Sequence, residues 1–207
     1  MSRSEVAAPM GDGPAVERRQ GVRYMTVMRV ATLQTEQGEE LCLVRNISEG
    51  GLKARIWSPL DVGAAVTARF KSDYDLPGMV VWRRDDHIGV QFRAPADVAL
   101  ILSGDDGPAP GLRPRPPRIL VEAPARVRVG AREHRATLRD ISQGGAKVLL
   151  DAPDQWEDAE PPLILAIAGL PATEGSMRWR DEAIVGLAFN TPIPLDTLAG
   201  WLVARRG

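Results

Sequence analysis

Short runs in which apolar and polar residues alternate recur along the chain, and turn-forming residues separate them. In the first half these runs cover 24–33, 39–46, 51–57, 65–70, 78–83 and 87–92; in the second half they cover 119–129, 132–140, 146–150, 163–167, 175–180 and 184–189. The alternation is two-fold. Val127, Val129, Ala136 and Leu138 share one face, and Arg126, Arg128, Arg135 and Arg139 share the other. A period of two is that of a half-buried strand. Six short strands per half predict an all-β chain of two small antiparallel barrels or sandwiches, and closing a barrel removes exposed strand edges. Each half ends with a helical pattern. One covers 95–102; the other covers 194–206, where Leu195, Leu198 and Leu202 line one side.

The division into two halves follows from a repeat. Arg45-Asn46-Ile47-Ser48-Glu49-Gly50-Gly51 returns as Arg139-Asp140-Ile141-Ser142-Gln143-Gly144-Gly145, an offset of 140 − 46 = 94 residues. That offset is the size of one small domain. Further along, Trp82 precedes Gly89 and Phe92 at the spacing by which Trp179 precedes Gly186 and Phe189. A duplicated domain explains both matches. The two tryptophans are expected to fill the barrel or its mouth. Residues 1–16, rich in Ala, Gly, Pro and Ser, are expected to be a flexible tail, and 104–117, rich in Pro and Gly, a linker. The first barrel is then 17–103 and the second 118–207.

Bulk properties narrow the function. Of 207 residues, 44% are hydrophobic and 26% charged, as in ordinary globular proteins. The net charge of −1 gives no overall field toward a nucleic acid polymer, and aromatic residues, at 5%, are too few for a stacking surface along a strand. No apolar stretch is long enough to span a bilayer, and the N-terminus lacks the order of a signal peptide, so a cytoplasmic protein without membrane insertion is expected. The single Cys42 excludes an internal disulfide and lies in an apolar run, where it reads as a small core residue. The basic side chains are almost all arginine; Lys53, Lys71 and Lys147 are the only lysines. No catalytic triad, phosphate loop or metal-ligand spacing occurs, so neither an enzyme nor a cofactor is expected. His87 and His134 read as solvated. Trp156 lies inside an acidic stretch that reads as a solvated insertion, or else as one that exposes the ring to anchor a partner.

The candidate chemistry lies around the repeated phrase. Arg18, Arg19 and Arg23 precede the first strand, and no acid lies between Arg18 and Arg29. A self-repelling arginine cluster of this kind relaxes when an anion is present. Read together, Arg19-x-x-x-Arg23 followed by Asn46-x-Ser48-x-x-Gly51 resembles the signature of the PilZ domain family, RxxxR then D/N-x-S-x-x-G. The resemblance covers roughly 17–103 and again 113–206. It implies a six-stranded barrel with a C-terminal helix, and a ligand, the bacterial second messenger cyclic di-GMP. In that role Arg18, Arg19 and Arg23 would grip phosphates or guanines, Asn46 and Ser48 would meet guanine edges, and Gly51 would allow close approach or supply a positive φ. In the second copy Asp140, Ser142 and Gly145 match and Arg118 takes the second arginine position, but Pro114 stands in the first, with Arg113 and Arg115 beside it. Three readings stand for that copy: weak binding, binding through Arg115, or a scaffold that has lost binding. The leading functional expectation is a cyclic di-GMP receptor that changes loop or interdomain geometry and signals through a downstream protein partner. The alternative is a degenerate interaction protein that binds no nucleotide.

Overall fold

The computed structural model describes residues 28–71, 74–102, 116–156 and 162–206. The expected tail, Arg18, Arg19, Arg23, Arg115 and most of the expected linker lie outside these residues.

The alternating runs close into two antiparallel barrels of six strands each. In the first, β1 (Arg29–Thr35), β2 (Gly38–Ser48), β3 (Gly51–Arg55), β4 (Ala65–Lys71), β5 (Tyr74–Arg84) and β6 (His87–Phe92) run in the order β1-β2-β3-β6-β5-β4, and helix α1 (Val98–Leu102) follows. In the second, β7 (Ile119–Val129), β8 (Arg132–Ser142), β9 (Gly145–Leu150), β10 (Leu163–Ile167), β11 (Thr173–Asp181) and β12 (Ile184–Phe189) repeat that order, and helix α2 (Leu195–Ala204) follows. Closure comes from β1 against β4, with Leu33 opposite Ala68, and from β7 against β10, with Val127 opposite Leu165.

The inward positions make the cores. Ala31, Leu33, Cys42, Val44, Ile47, Ala54, Val80 and Ile88 are among the buried residues of the first barrel; Val127, Leu138, Ile141, Val148 and Val185 belong to the second. Each fully buried branched side chain contributes about 1.5–3 kcal/mol of transfer free energy. Cys42 is one of these core residues, as its apolar context implied, and burial pushes its thiol pKa up. The Arg29 guanidinium donates to the Ile101 carbonyl at the end of α1 and ties that helix to β1.

Two sequence expectations are corrected. Trp156 is 6% exposed and packs in the second core, with its ring centroid 4.9 Å from that of His134. A ring so placed cannot anchor a partner. The histidines are half-buried: the His134 ring packs at a tilt against Trp156, and His87 Nδ1 lies 2.7 Å from Asp86.

The barrels touch through the outer face of β2. Leu41 points away from its own core and is buried in the core cluster of the second barrel, against which Val30 and Trp57 also pack. Asp196 of α2 accepts from Trp57 Nε1 at 3.0 Å and lies 2.9 Å from the Arg55 guanidinium.

Candidate functional site

The repeated phrase forms the end of β2, a tight turn and the start of β3, and the same in β8–β9. Ser48 Oγ donates to the Gly51 carbonyl at 3.3 Å, and Ser142 Oγ to the Gly145 carbonyl at 3.2 Å. The turn is also stitched to the end of β6 and to the segment beyond it. Phe92 N donates to Gly50 O at 2.9 Å and Ala96 N to Glu49 O at 2.8 Å. Phe189 N and Ile193 N do the same to Gly144 O and Gln143 O, at 3.0 and 2.8 Å. The phrase therefore sits on a braced turn rather than on a free loop.

The positive φ considered for Gly51 is not what the fold requires of it. Its φ is not positive, and a Cβ placed on it would stand 2.2 Å from the Val90 carbonyl oxygen. Gly145 meets Leu187 O at the same distance. The space a side chain would occupy is taken by the neighbouring strand, so glycine is required by barrel closure itself.

β-Bulges aim the flanking side chains. The ladder shifts between Val44 and Asn46, so that Val44 and Ile47 both enter the core while Asn46 and Ser48 are left half-buried on the outer side. A second shift lies between Val80 and Trp82 in β5. Bulges concentrate where a strand must redirect a functional side chain. Both recur in the second barrel, between Leu138 and Asp140 and between Met177 and Trp179.

The register then sets out one row across four strands. Asn46 pairs with Lys53, Lys53 with Gly89, and Gly89 with Trp82. The second barrel repeats it as Asp140, Lys147, Gly186 and Trp179. The tryptophans do not fill the barrels. Trp82 is 40% and Trp179 46% exposed, and each indole lies where a side chain on the facing glycine would stand, with a Gly89 Cβ 1.9 Å from Trp82 Nε1. Their seven-residue spacing was legible in the sequence, but their outward direction depends on the bulge and was not.

The two rows differ electrically. In the second, Asp140 is almost fully buried, with Arg118 NH1 2.6 Å from one carboxylate oxygen and Lys147 Nζ 3.2 Å from the other. Ser142 is buried with it. In the first, Asn46 carries no charge, and neither its amide nor Lys53 has a hydrogen bond or ion pair among the described residues. The structure thus brings Asn46, Ser48 and Gly51 together with Lys53 and Trp82, and in the second barrel Arg118, Asp140, Ser142 and Gly145 with Lys147. Lys53 and Lys147 were missed as site residues; their scarcity and equal offset from the two phrases were the available signal. Arg18, Arg19, Arg23 and Arg115 lie outside the described residues.

Among the described residues no helix is long and apolar enough to cross a membrane, and no group of His, Cys, Asp or Glu could hold a metal ion.

The duplication also emerges from comparison with known families. Residues 17–102 and 112–203 each match the model of the PilZ domain. No curated protein sequence matches the chain. Among solved structures, it is similar to the Borreliella burgdorferi PlzA protein in complex with c-di-GMP, at 15% identity over 88% of this chain and 92% of that one, with a TM-score of 0.34. It is also similar to the Bacillus subtilis inhibitor of motility (MotI/DgrA), at 16% identity over 88% and 98%, with a TM-score of 0.36. A third is the K. pneumonia MrkH–c-di-GMP complex, at 9% identity over 86% of each chain, with a TM-score of 0.34.

Proposed function

The chain belongs to the PilZ domain family, and on that premise we propose that it is a receptor for cyclic di-GMP, held on the outer face of its first barrel. The observation that carries this reading is the neutral Asn46 amide, without a hydrogen bond among the described residues and set beside Ser48 on a braced turn, preceded by Arg18, Arg19 and Arg23 within the matched region. Cyclic di-GMP presents two phosphates and two guanines. A guanidinium can fork onto a phosphate or onto guanine O6 and N7, or stack on the base. The Asn46 amide can both donate to and accept from a guanine edge. A neutral residue there also avoids a fixed negative charge beside an anionic ligand.

The second barrel supports a different role. Asp140 already occupies the cations Arg118 and Lys147, so an incoming phosphate would have to compete with a buried carboxylate for them. We assign it chiefly to scaffold the first barrel, through Leu41, Trp57 and Asp196. Ligand bound near β2 and β3 would act on the strands that carry this contact, and output would pass through that geometry to a protein partner.

A thermal-melt series tests the reading. Cyclic di-GMP should raise the Tm of the full chain in proportion to the logarithm of its concentration above Kd, as mass action requires, and GMP at the same concentrations should not. A Tm that does not move in excess cyclic di-GMP would instead favour an interaction protein that binds no nucleotide.

A further inference from the structure

We propose that an apolar strip on the outer face of β5 is the surface on which a second copy of the chain docks, giving a two-fold symmetric dimer through the first barrel. The strip is Pro77, Met79 and Val81, extended by Val62, and it lies outside the repeated phrase. The inference is independent of the receptor reading.

The sequence sets β5 apart. From Leu76 to Trp82 it reads Leu-Pro-Gly-Met-Val-Val-Trp, without a charged residue. Leu76, Gly78 and Val80 are buried, while Pro77, Met79 and Val81 are exposed, Met79 at 45% and Val81 at 43%. A strand covered on one face alternates apolar with polar positions, and an unbroken apolar run is the pattern of a strand covered on both. The barrel's own core covers the inner face of β5. The outer face is apolar and open, and Val62, at 61% exposed, adds to it.

The second barrel supplies the control. β11 holds the place of β5, with Gly175 opposite Phe189 as Gly78 is opposite Phe92. Its exposed outward positions are Glu174, Ser176 and Arg178, where β5 has Pro77, Met79 and Val81. The fold therefore does not require an apolar outer row, and the first barrel alone carries one. In the closed order β1-β2-β3-β6-β5-β4, β5 stands across the barrel from β2, the strand that meets the second barrel, so the contact between barrels leaves the strip free. Exposed contiguous apolar surface of this kind marks an interaction site.

The charges beside the strip select its occupant. Gly63 N donates to Val80 O at 2.8 Å and Val80 N to Ala64 O at 3.0 Å, which places the turn carrying exposed Asp61 on the β4 side. Arg93 N donates to Pro77 O at 2.9 Å, which places exposed Arg93 on the β6 side, toward the other end. Neither side chain has an ion pair among the described residues, whereas Arg69 and Asp75, next along the barrel, close on each other at 2.5 Å. An apolar centre with an acid at one corner and a base at the opposite corner is complementary to itself. About a two-fold axis in the plane of contact, Asp61 of each copy meets Arg93 of the other, and Met79, unbranched and adaptable, packs at the centre. A partner whose rim carried charges of one sign would oppose one of the two.

The test is sedimentation equilibrium of the full chain without nucleotide, from about 1 to 200 μM, on wild type, Met79→Ser/Val81→Arg, Asp61→Arg, Arg93→Asp and the double reversal Asp61→Arg/Arg93→Asp. Wild type should show a monomer–dimer equilibrium with a Kd of about 10 μM, as suits a small contact. Met79→Ser/Val81→Arg, which gives β5 two of the outward residues of β11, should weaken dimerisation about tenfold or more. Each single reversal should weaken it about fivefold, and the double reversal should restore most of the loss. All four side chains are exposed or replaced at exposed positions, and melting curves check that the variants fold. A wild type that stays monomeric throughout would overturn the proposal and leave the strip to a different protein. A dimer with unchanged Kd in Met79→Ser/Val81→Arg would overturn it by placing the contact on another face. Single reversals without effect, or a double reversal that recovers nothing, would overturn the two-fold arrangement.

Discussion

Arg118 NH1 lies 2.6 Å from Asp140 Oδ1, whereas the corresponding position of the first phrase is the uncharged Asn46. One substitution between two copies thus separates a surface that satisfies its own charges from one that does not. Asp140 is nearly inaccessible, and Arg118 is half-exposed. Removing the arginine leaves a buried carboxylate with only Lys147. Arg118→Ala should therefore cost about 1–2 kcal/mol in urea unfolding, and Asp140→Asn less, because both cations can return to water.

The glycines of the phrase separate by position. Gly51→Ala would force a methyl to 2.2 Å from Val90 O, and the backbone of β6 cannot yield cheaply. It should lower stability by about 2–4 kcal/mol. At Gly50 a methyl would meet nothing within 4 Å, and the φ is not positive, so Gly50→Ala should change stability by less than about 0.5 kcal/mol. Denaturant midpoints of the two variants check the contrast.

Glu40 makes stability depend on pH. It is 2% exposed, accepts from the Ser58 hydroxyl, and its Oε1 has no partner among the described residues. Burial pushes its carboxyl above the usual value, partly offset by the Ser58 hydrogen bond and the charge of Arg206. The native state therefore holds this proton to higher pH than the unfolded chain does. The group's contribution is most favourable below the unfolded pKa, about 4.3, and is lost as pH rises through the folded value. Glu40→Gln, whose amide stays neutral, should melt higher than wild type at pH 8, with the difference shrinking toward pH 4.

The barrels are joined mainly by apolar contact. Asp196 bonds both Trp57 and Arg55, yet its side chain is 67% exposed, and exposed pairs contribute at most about 1 kcal/mol. Leu41 is 3% exposed within the second core cluster, so Leu41→Ala should cost about 2–3 kcal/mol. Calorimetric melting should then resolve two transitions where a single one is expected of wild type, while Asp196→Ala should not split the peak.

Much of this was legible in the sequence because period-two alternation and turn residues are local signals. β6, β7, β10 and β12 have the bounds the pattern predicts. β5 begins earlier, at Tyr74, since Pro77 still offers its carbonyl, which accepts from Arg93 N. The duplicated phrase located the turn, and Asn46, Ser48 and Gly51 do come together there. What stayed hidden depends on register. The Asn46–Lys53–Gly89–Trp82 row joins residues far apart in sequence, and two bulges decide which way its ends face. The role of Gly51 was hidden for the same reason: the atom it must avoid, Val90 O, belongs to a strand distant in the chain. Trp156 sits in an acidic, polar stretch, and only the closed barrel shows that it completes the second core.

The proposed receptor role places cyclic di-GMP on the first barrel, through that barrel's own signature. The most direct measurement is calorimetric titration of the full chain against the Arg19→Ala/Arg23→Ala and Asn46→Ala variants, with melting curves to confirm that the fold persists. Saturable binding by wild type is predicted, lost by about a hundredfold or more in the double arginine variant and weakened about tenfold in Asn46→Ala. Unchanged affinity in those variants, or no binding heat from wild type at micromolar protein and excess ligand, would contradict it.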